Sequence, residues 1–472
     1  MLEGQRQRIV VIFIVCSTIA TLVLGGAVAY ELGRRDSGTT VAAGASSTAT
    51  GARSRSSTAS GAATASNAGA ASGGATDAGA AGTGTAGGGG TSGGGGATAG
   101  QVGTQALTGG TVTVGGLFDE TGPVDATVER DTVRAYFNKV NEAGGVNGKM
   151  LQLIDCDSKF NPTDAANCAN KLINDNHVFA VVGSAGVGED VTVKAFNDAG
   201  VPVIGGLGTP EEFKYPLSYP VSANFVTYGT AIANRSADLG FTDVGIIVVN
   251  VGFIAPAKDE IVRALRERNV TIKGDPIIVE ATKPNYADVV LDLQSRGAKS
   301  IVAALDPFSY QRLFQSMQGA GYKPPLIGIG LDKGSANPSP GHKDQGYTDF
   351  VEGMHSLIPF LEPADHPDDP GVRDYLDTVK KYFPNQVAPL DVYTEGSWTA
   401  AQMFVDALQR AGPDPSQQGL VDALNATTGF QGGLSPRPIS YQAGDSHDPN
   451  RCFWMLQNKG LIWTSVTDPQ CF

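Results

Sequence analysis

Three short turns of small residues follow apolar, strand-like runs, and each could hold a polar or anionic group. After TVTVGGLF (111–118) comes Asp119-Glu120-Thr121. After VFAVVG (178–183) comes Ser184-Ala185-Gly186-Val187-Gly188, and after VPVIG (201–205) comes Gly206-Leu207-Gly208-Thr209. Such turns leave backbone N–H groups exposed where a helix begins, and the aligned peptide dipoles there favour negative charge. Hydroxyls on Thr121, Ser184 and Thr209 would add donors. Each turn taken singly also reads as an ordinary strand-to-helix connection with a capping hydroxyl. Three along one edge favour a binding cleft.

No catalytic set accompanies these turns. G-x-S-x-G, the P-loop lysine motif and H-E-x-x-H do not occur, and the isolated Gly328-x-Gly330 is no dinucleotide fingerprint. The five histidines lack zinc-ligand spacing, and Asp365, Asp368 and Asp369 lack the alternation of a calcium loop. We therefore expect a binder rather than an enzyme, without metal or cofactor. Cys156 and Cys168 stand 12 residues apart and Cys452 and Cys471 stand 19 apart, with no C-x-x-C. Two disulfides formed outside the cytoplasm are expected, Cys156–Cys168 and Cys452–Cys471. Reduced, buried thiols and the other pairings stay open, because four cysteines allow three connectivities.

The chain has 472 residues, of which 62 are glycine, and a net charge of −13. It carries no Lys/Arg run, so nucleic acid is not an expected partner. Arg6 and Arg8 precede an apolar run at 9–30, which as a helix would span about 33 Å, enough to cross a bilayer. Two readings of segment 1–36 compete. Ala27-Val28-Ala29 has the form of a signal-peptidase site, while the length of the run suits an uncleaved membrane anchor. Either places the rest of the chain outside the cytoplasm, secreted or held at the membrane. Residues 37–110 are a Gly/Ala/Ser/Thr-rich stretch that buries too little to offset its ordering entropy, and so reads as a disordered linker.

From Thr111 onward, β-branched runs alternate with helical patterns. Strands are expected at 111–118, 150–155, 178–183, 201–205, 244–250, 300–305 and 326–330, with 271–280 extended. Helices are expected at 130–143, 162–176, 189–199, 257–268, 286–296, 310–320 and 395–411. Strict alternation implies an α/β fold of parallel sheets with helices on both faces, with ligands bound at the strand C-termini. Phe453–Gln457 and 461–465, flanking Asn458-Lys459-Gly460, read as a terminal hairpin.

The order of motifs resembles the leucine/isoleucine/valine-binding type of ABC-transporter solute-binding protein, the type I periplasmic-binding fold. The matching stretches are GGLFDETGP (115–123), NKVNEAGGVNG (138–148), Asp155–Asp157 with Asn161-Pro162, Val181–Gly183, AGVPVI (199–204), DVVLDLQSRG (288–297) and GAGY (319–322). The resemblance implies two Rossmann-like lobes facing a cleft, lobe 1 at 110–228 plus 358–438 and lobe 2 at 229–357 plus 439–472. It implies a small polar solute, such as an amino acid or amide, and ABC permease subunits as partners. A membrane-tethered sensor on the same fold is the alternative. Carried over residue by residue, the ligand carboxylate would meet Ser184, Gly186, Val187 and Gly188, and Leu207, Gly208 and Thr209, with Thr121 in the first loop. Phe253 would cover the ligand, and Asp306 or Asp332 would pair with its ammonium. Asp119 and Glu120 would repel a carboxylate wherever they point inward.

Overall fold

The computed structural model describes residues 102–103, 107, 109–123, 125–333, 351–385, 391–442, 447–448, 450–460 and 462–472. The N-terminal apolar run and nearly all of the glycine-rich linker lie outside the described residues. Among the described residues no helix is long and apolar enough to cross a membrane.

The first sheet is built from short buried strands. β1 (Thr111–Phe118) lies between β2 (Met150–Asp157) and β3 (Ala180–Val182). Beyond them, β4 (Val203–Ile204) and β5 (Ser218–Tyr219) complete the order β2-β1-β3-β4-β5, every pair parallel. Thr111 lies opposite Met150 and Phe118 opposite Asp157, so β1 and β2 end together. The crossovers are α1 (Thr127–Glu142), α2 (Pro162–Asn170) and α3 (Glu189–Asp198). Asn161 starts α2 by accepting the N–H groups of Thr163 and Asp164, with Pro162 in the first turn where a missing N–H costs nothing. The helix expected to run to 176 instead loosens into a π turn at Lys171–Asp175.

Helix α4 (Phe225–Asp238) opens the second half. Strands β6 (Val244–Val249), β7 (Ile277–Val279), β8 (Ser300–Ala304) and β9 (Leu326–Ile327) are parallel, joined by α5 (Ile254–Glu267), α6 (Ala287–Ser295) and α7 (Pro307–Gly319). β6 and β8 are buried along their whole length, as central strands covered on both faces must be. β10 (His355–Ile358) extends the parallel set, but β11 (Cys452–Lys459) and β12 (Ile462–Ser465) run antiparallel. The second sheet is thus mixed, in the order β12-β11-β10-β9-β8-β6-β7, with β13 (Gln470–Cys471) on β11. The expected terminal hairpin is β11 with β12, and β11 also pairs antiparallel with β10 at the edge of an otherwise parallel sheet. Of the stretch 271–280 only Ile277–Val279 forms a strand.

Between β10 and β11 the chain returns to the first sheet as α8 (Pro370–Tyr382), α9 (Val392–Arg410) and α10 (Gln417–Asn425). Helix α9 packs on α1 and on β3 and β4, and α8 packs on α1. Trp398 of α9, fully buried, meets Tyr136 of α1 edge-on at 4.8 Å and Tyr375 of α8 at 5.3 Å. Burying aromatic rings of this size dominates core energetics.

Two disulfides fasten the periphery. Cys156–Cys168 ties the end of β2 to α2, and Cys452–Cys471 ties β11 to β13. A cross-link over 12 residues removes loop entropy from the unfolded chain worth about 3 kcal/mol. The double substitution Cys156→Ser/Cys168→Ser is therefore expected to cost about 2–4 kcal/mol in urea denaturation. An unchanged midpoint would show that the bridge contributes nothing to stability.

Candidate ligand-binding cleft

The C-terminal ends of both sheets open on one cavity, with about 550 Å³ of atom-free space, part of it open to solvent. From the first sheet and its helices come Asp119, Ala126, Glu129, Phe160, Ala185, Gly186, Val187, Leu207 and Tyr393. The second sheet and its helices supply Phe225, Val249, Val251, Phe253, Ile254, Ala304, Leu305, Asp306, Pro307, Ile329 and Leu331. The lining is mainly aliphatic and aromatic. Among the described residues it includes three carboxyl groups and no Lys, Arg or His.

The turns expected to receive a ligand carboxylate already hold carboxyl groups of the chain itself. Asp119 Oδ2 accepts the Val187 N–H at 2.8 Å. Its Oδ1 accepts the Phe160 N–H at 2.7 Å and the Ser158 hydroxyl at 2.8 Å. Burial raises the pKa of Asp119, and these three bonds oppose the rise. In the next turn, Glu189 Oε2 accepts the Leu207 N–H at 2.7 Å. Glu212 Oε1 accepts the N–H groups of Gly208 at 3.0 Å and Thr209 at 2.6 Å, and the Thr209 hydroxyl at 2.8 Å. The backbone reaches this far around Glu212 only because Gly206 and Gly208 have φ of +123° and +91°. A Cβ on Gly206 would lie 2.0 Å from Glu212 Oε2, and one on Gly208 would lie 2.3 Å from the Ala223 carbonyl oxygen.

Five of the residues expected from sequence line the cavity: Gly186, Val187, Leu207, Phe253 and Asp306. Thr121, Ser184, Gly188, Gly208, Thr209 and Asp332 are not among its lining residues. Thr121 is exposed and donates to Asp157 Oδ2, while Ser184 Oγ accepts the Leu117 N–H at 3.1 Å. Phe253 packs its ring 5.2 Å from that of Phe225, forming an aromatic wall. Asp306 caps α7, with Oδ1 accepting the Ser309 N–H at 3.0 Å and Oδ2 the Ser309 hydroxyl. Asp332 is buried, and its Oδ1 accepts the Gly330 N–H and the Ser356 hydroxyl. Burial pushes its pKa up to about 6.

Sequence reasoning overlooked Glu129, which lines the cavity, is 3% exposed and has no hydrogen-bond partner for Oε2. Burial, followed by repulsion from Asp391, pushes its carboxyl well above the usual range. A signal existed: helical spacing places Glu129 in line with Val133 and Phe137, on the buried face of α1. Tyr393, also overlooked, follows Asp391, whose side chain caps α9 by accepting the N–H groups of Tyr393 and Thr394.

A buried cation ties the two halves together. Lys333, in the segment after β9, pairs with Glu362 at 2.6 Å and with Glu395 of α9 at 2.8 Å, and all three side chains are at most 4% exposed. One lysine does not neutralise two carboxyls here, because burial outweighs it and Glu395 rises to about 8. Lys333→Met would leave this carboxyl pair buried without a cation, an expected loss of about 3–5 kcal/mol in urea denaturation. Adding Glu395→Gln to that variant should recover part of the loss.

The raised carboxyls also fix a pH dependence. Burial raises the pKa of both Glu189 and Glu212, that of Glu212 to about 7. Between the unfolded value and the folded one, the native state holds protons that the unfolded chain releases, so stability falls as pH rises. Stability is expected to decline from pH 5 to pH 7, by about 1.4 kcal/mol per pH unit for each such group. Glu212→Gln should flatten that slope, and an equal slope in the variant would rule the pair out as its source.

A sequence profile of the periplasmic binding protein family matches residues 111–460. None of the curated proteins matches the sequence. Among solved structures, a possible leucine/isoleucine/valine-binding protein from Rhodopirellula baltica SH 1 superposes with a TM-score of 0.66 at 17% identity, over 76% of this chain and 96% of its own. A fatty acid ABC transporter substrate-binding protein from Thermomonospora curvata gives 0.65 at 16% identity, over 77% and 92%. A solute-binding protein of an ABC transporter from R. palustris, in complex with benzoate, gives 0.65 at 15% identity, over 77% and 98%. With the profile spanning most of the described residues and the cleft lying at the strand ends of two sheets, the chain belongs to the periplasmic binding protein family and has the fold of its leucine/isoleucine/valine-binding type.

Proposed function

We propose that the chain is the extracytoplasmic solute-binding component of an ABC-type importer and that it captures a small solute with a mainly apolar body. Lobe 1 is built on the five-stranded sheet with α8–α10, and lobe 2 on the eight-stranded sheet with α4–α7. Three crossings between the lobes act as the hinge, near residues 220–224, near 359–362 and at Asn450, whose Nδ2 donates to the carbonyls of Val221 and Pro359. Closure removes apolar lining from water, worth about 25 cal/mol for each Å² buried. The closed form then docks on the permease, and the N-terminal apolar run directs or holds the protein outside the membrane.

The observation that carries this reading is the cavity itself, lined from both sheets almost entirely by apolar side chains. A small polar solute was the expectation from sequence. This lining favours an apolar body, because hydroxyl-rich or zwitterionic ligands would leave polar groups unpaired there.

Protein stripped of ligand by unfolding and refolding is expected to gain thermal stability from small aryl or alkyl solutes and none from glucose or glycine. A ligand at 100 times its Kd adds about 2.7 kcal/mol. Val187→Trp, which fills the cavity from lobe 1, should abolish the shift. Stabilisation by glucose or glycine alone would overturn the proposed solute class.

A further inference from the structure

The polar groups of the cavity narrow the ligand further, on the reading that the cleft takes an apolar solute. We infer that the ligand carries an ammonium head and no carboxylate, and that Glu129 pairs with that head. Among the described residues the lining holds three carboxyl groups and no basic side chain. Four backbone donors of the two turns are taken: Asp119 holds the Val187 N–H, and Glu189 and Glu212 hold those of Leu207, Gly208 and Thr209. A ligand carboxylate would therefore enter beside Asp119, Glu129 and Asp306 with no cation among the described lining residues and with these four amides already occupied.

The three acids differ in what they have left to offer. Both oxygens of Asp119 and both of Asp306 accept hydrogen bonds from the protein. Glu129 is 3% exposed and has an oxygen with no partner. A buried carboxyl of this kind costs free energy until something pairs with it. A primary ammonium supplies both charge and donors, and the aromatic and aliphatic lining accommodates the body attached to it. Glu129 thus acts as a specificity-determining residue in the cleft, and Asp119 blocks the anion position.

Benzylamine, benzyl alcohol and benzoate test this, since they share one body and differ only in the charge of the head. Calorimetric titration of the refolded, ligand-free protein is expected to show benzylamine binding at least tenfold more tightly than benzyl alcohol, with benzoate weakest. Glu129→Gln keeps the shape but cannot ionise opposite an ammonium. It should weaken benzylamine at least tenfold and leave benzyl alcohol within about twofold, which also shows that the variant is folded. The wild-type charge series stands as a test even if the variant does not fold. Benzoate or benzyl alcohol binding more tightly than benzylamine would overturn the ammonium assignment and leave the apolar-solute reading standing. Failure of all three, and of alkylamines with alkanols beside them, would overturn both.

Discussion

The first N–H groups of every α-helix lack acceptors within the helix, and this cleft gathers an unusual number of them. Six of the described helices, α1, α3, α4, α5, α7 and α9, begin at the cavity. Parallel sheets impose that convergence, since each strand ends where the next helix starts. The unpaired amides and the positive ends of the helix dipoles must be met by acceptors. Side chains meet part of this need: Asp306 caps α7, Asp391 caps α9 and Asn224 caps α4, while α1, α3 and α5 start without a side-chain cap. Carboxyls of Asp119, Glu189 and Glu212 take amides of the turns at 184–188 and 206–209.

Meeting that requirement internally has consequences for charge. Burial raises the pKa of these carboxyls, with repulsion from a neighbouring carboxyl adding to it at Glu189 and Glu395, so that Glu212 rises to about 7 and Glu395 to about 8. Lys333 provides a buried counter-charge where α9 approaches the segment after β9, and its pairing with Glu362 and Glu395 spans the two halves of the molecule. On the proposed closure of two lobes, this triad either moves as a unit or meets water, and the place of Glu362 in the proposed crossing segment favours the former.

Much of this was legible in the chain. Runs such as VFAVVG and SIVAAL read as covered strands and form β3 and β8, and Ala185, Gly186, Val187 and Leu207 of the small-residue turns are among the cavity's lining residues. The two cysteine pairs expected from their closeness in sequence are the ones that form, although spacing left the other connectivities open. Helix α4 was harder to see, because FVTYGTAIANRSAD mixes β-branched residues with a mid-helix glycine, and packing against α5 decides its conformation. The role of Asp119 and Glu189 was hidden for another reason. Sequence shows which turns offer donors, but the acceptors reach them through tertiary contacts: Asp119 meets Val187 across 68 positions, and Glu189 meets Leu207 across 18.

A binding site for a charged group is an arrangement of donors with no internal acceptor. Once the chain places its own carboxylates on those donors, an incoming anion must displace a charge already desolvated and hydrogen-bonded, while an incoming apolar group need displace only water. The same framework that offers backbone donors to anions at open turns therefore selects against them here, without any change in strand order or turn position. What remains unmatched is Glu129, a carboxyl on the buried face of α1 with an unpartnered oxygen. The chemistry of the cleft thus turns on a single helical position that the topology leaves without an internal donor.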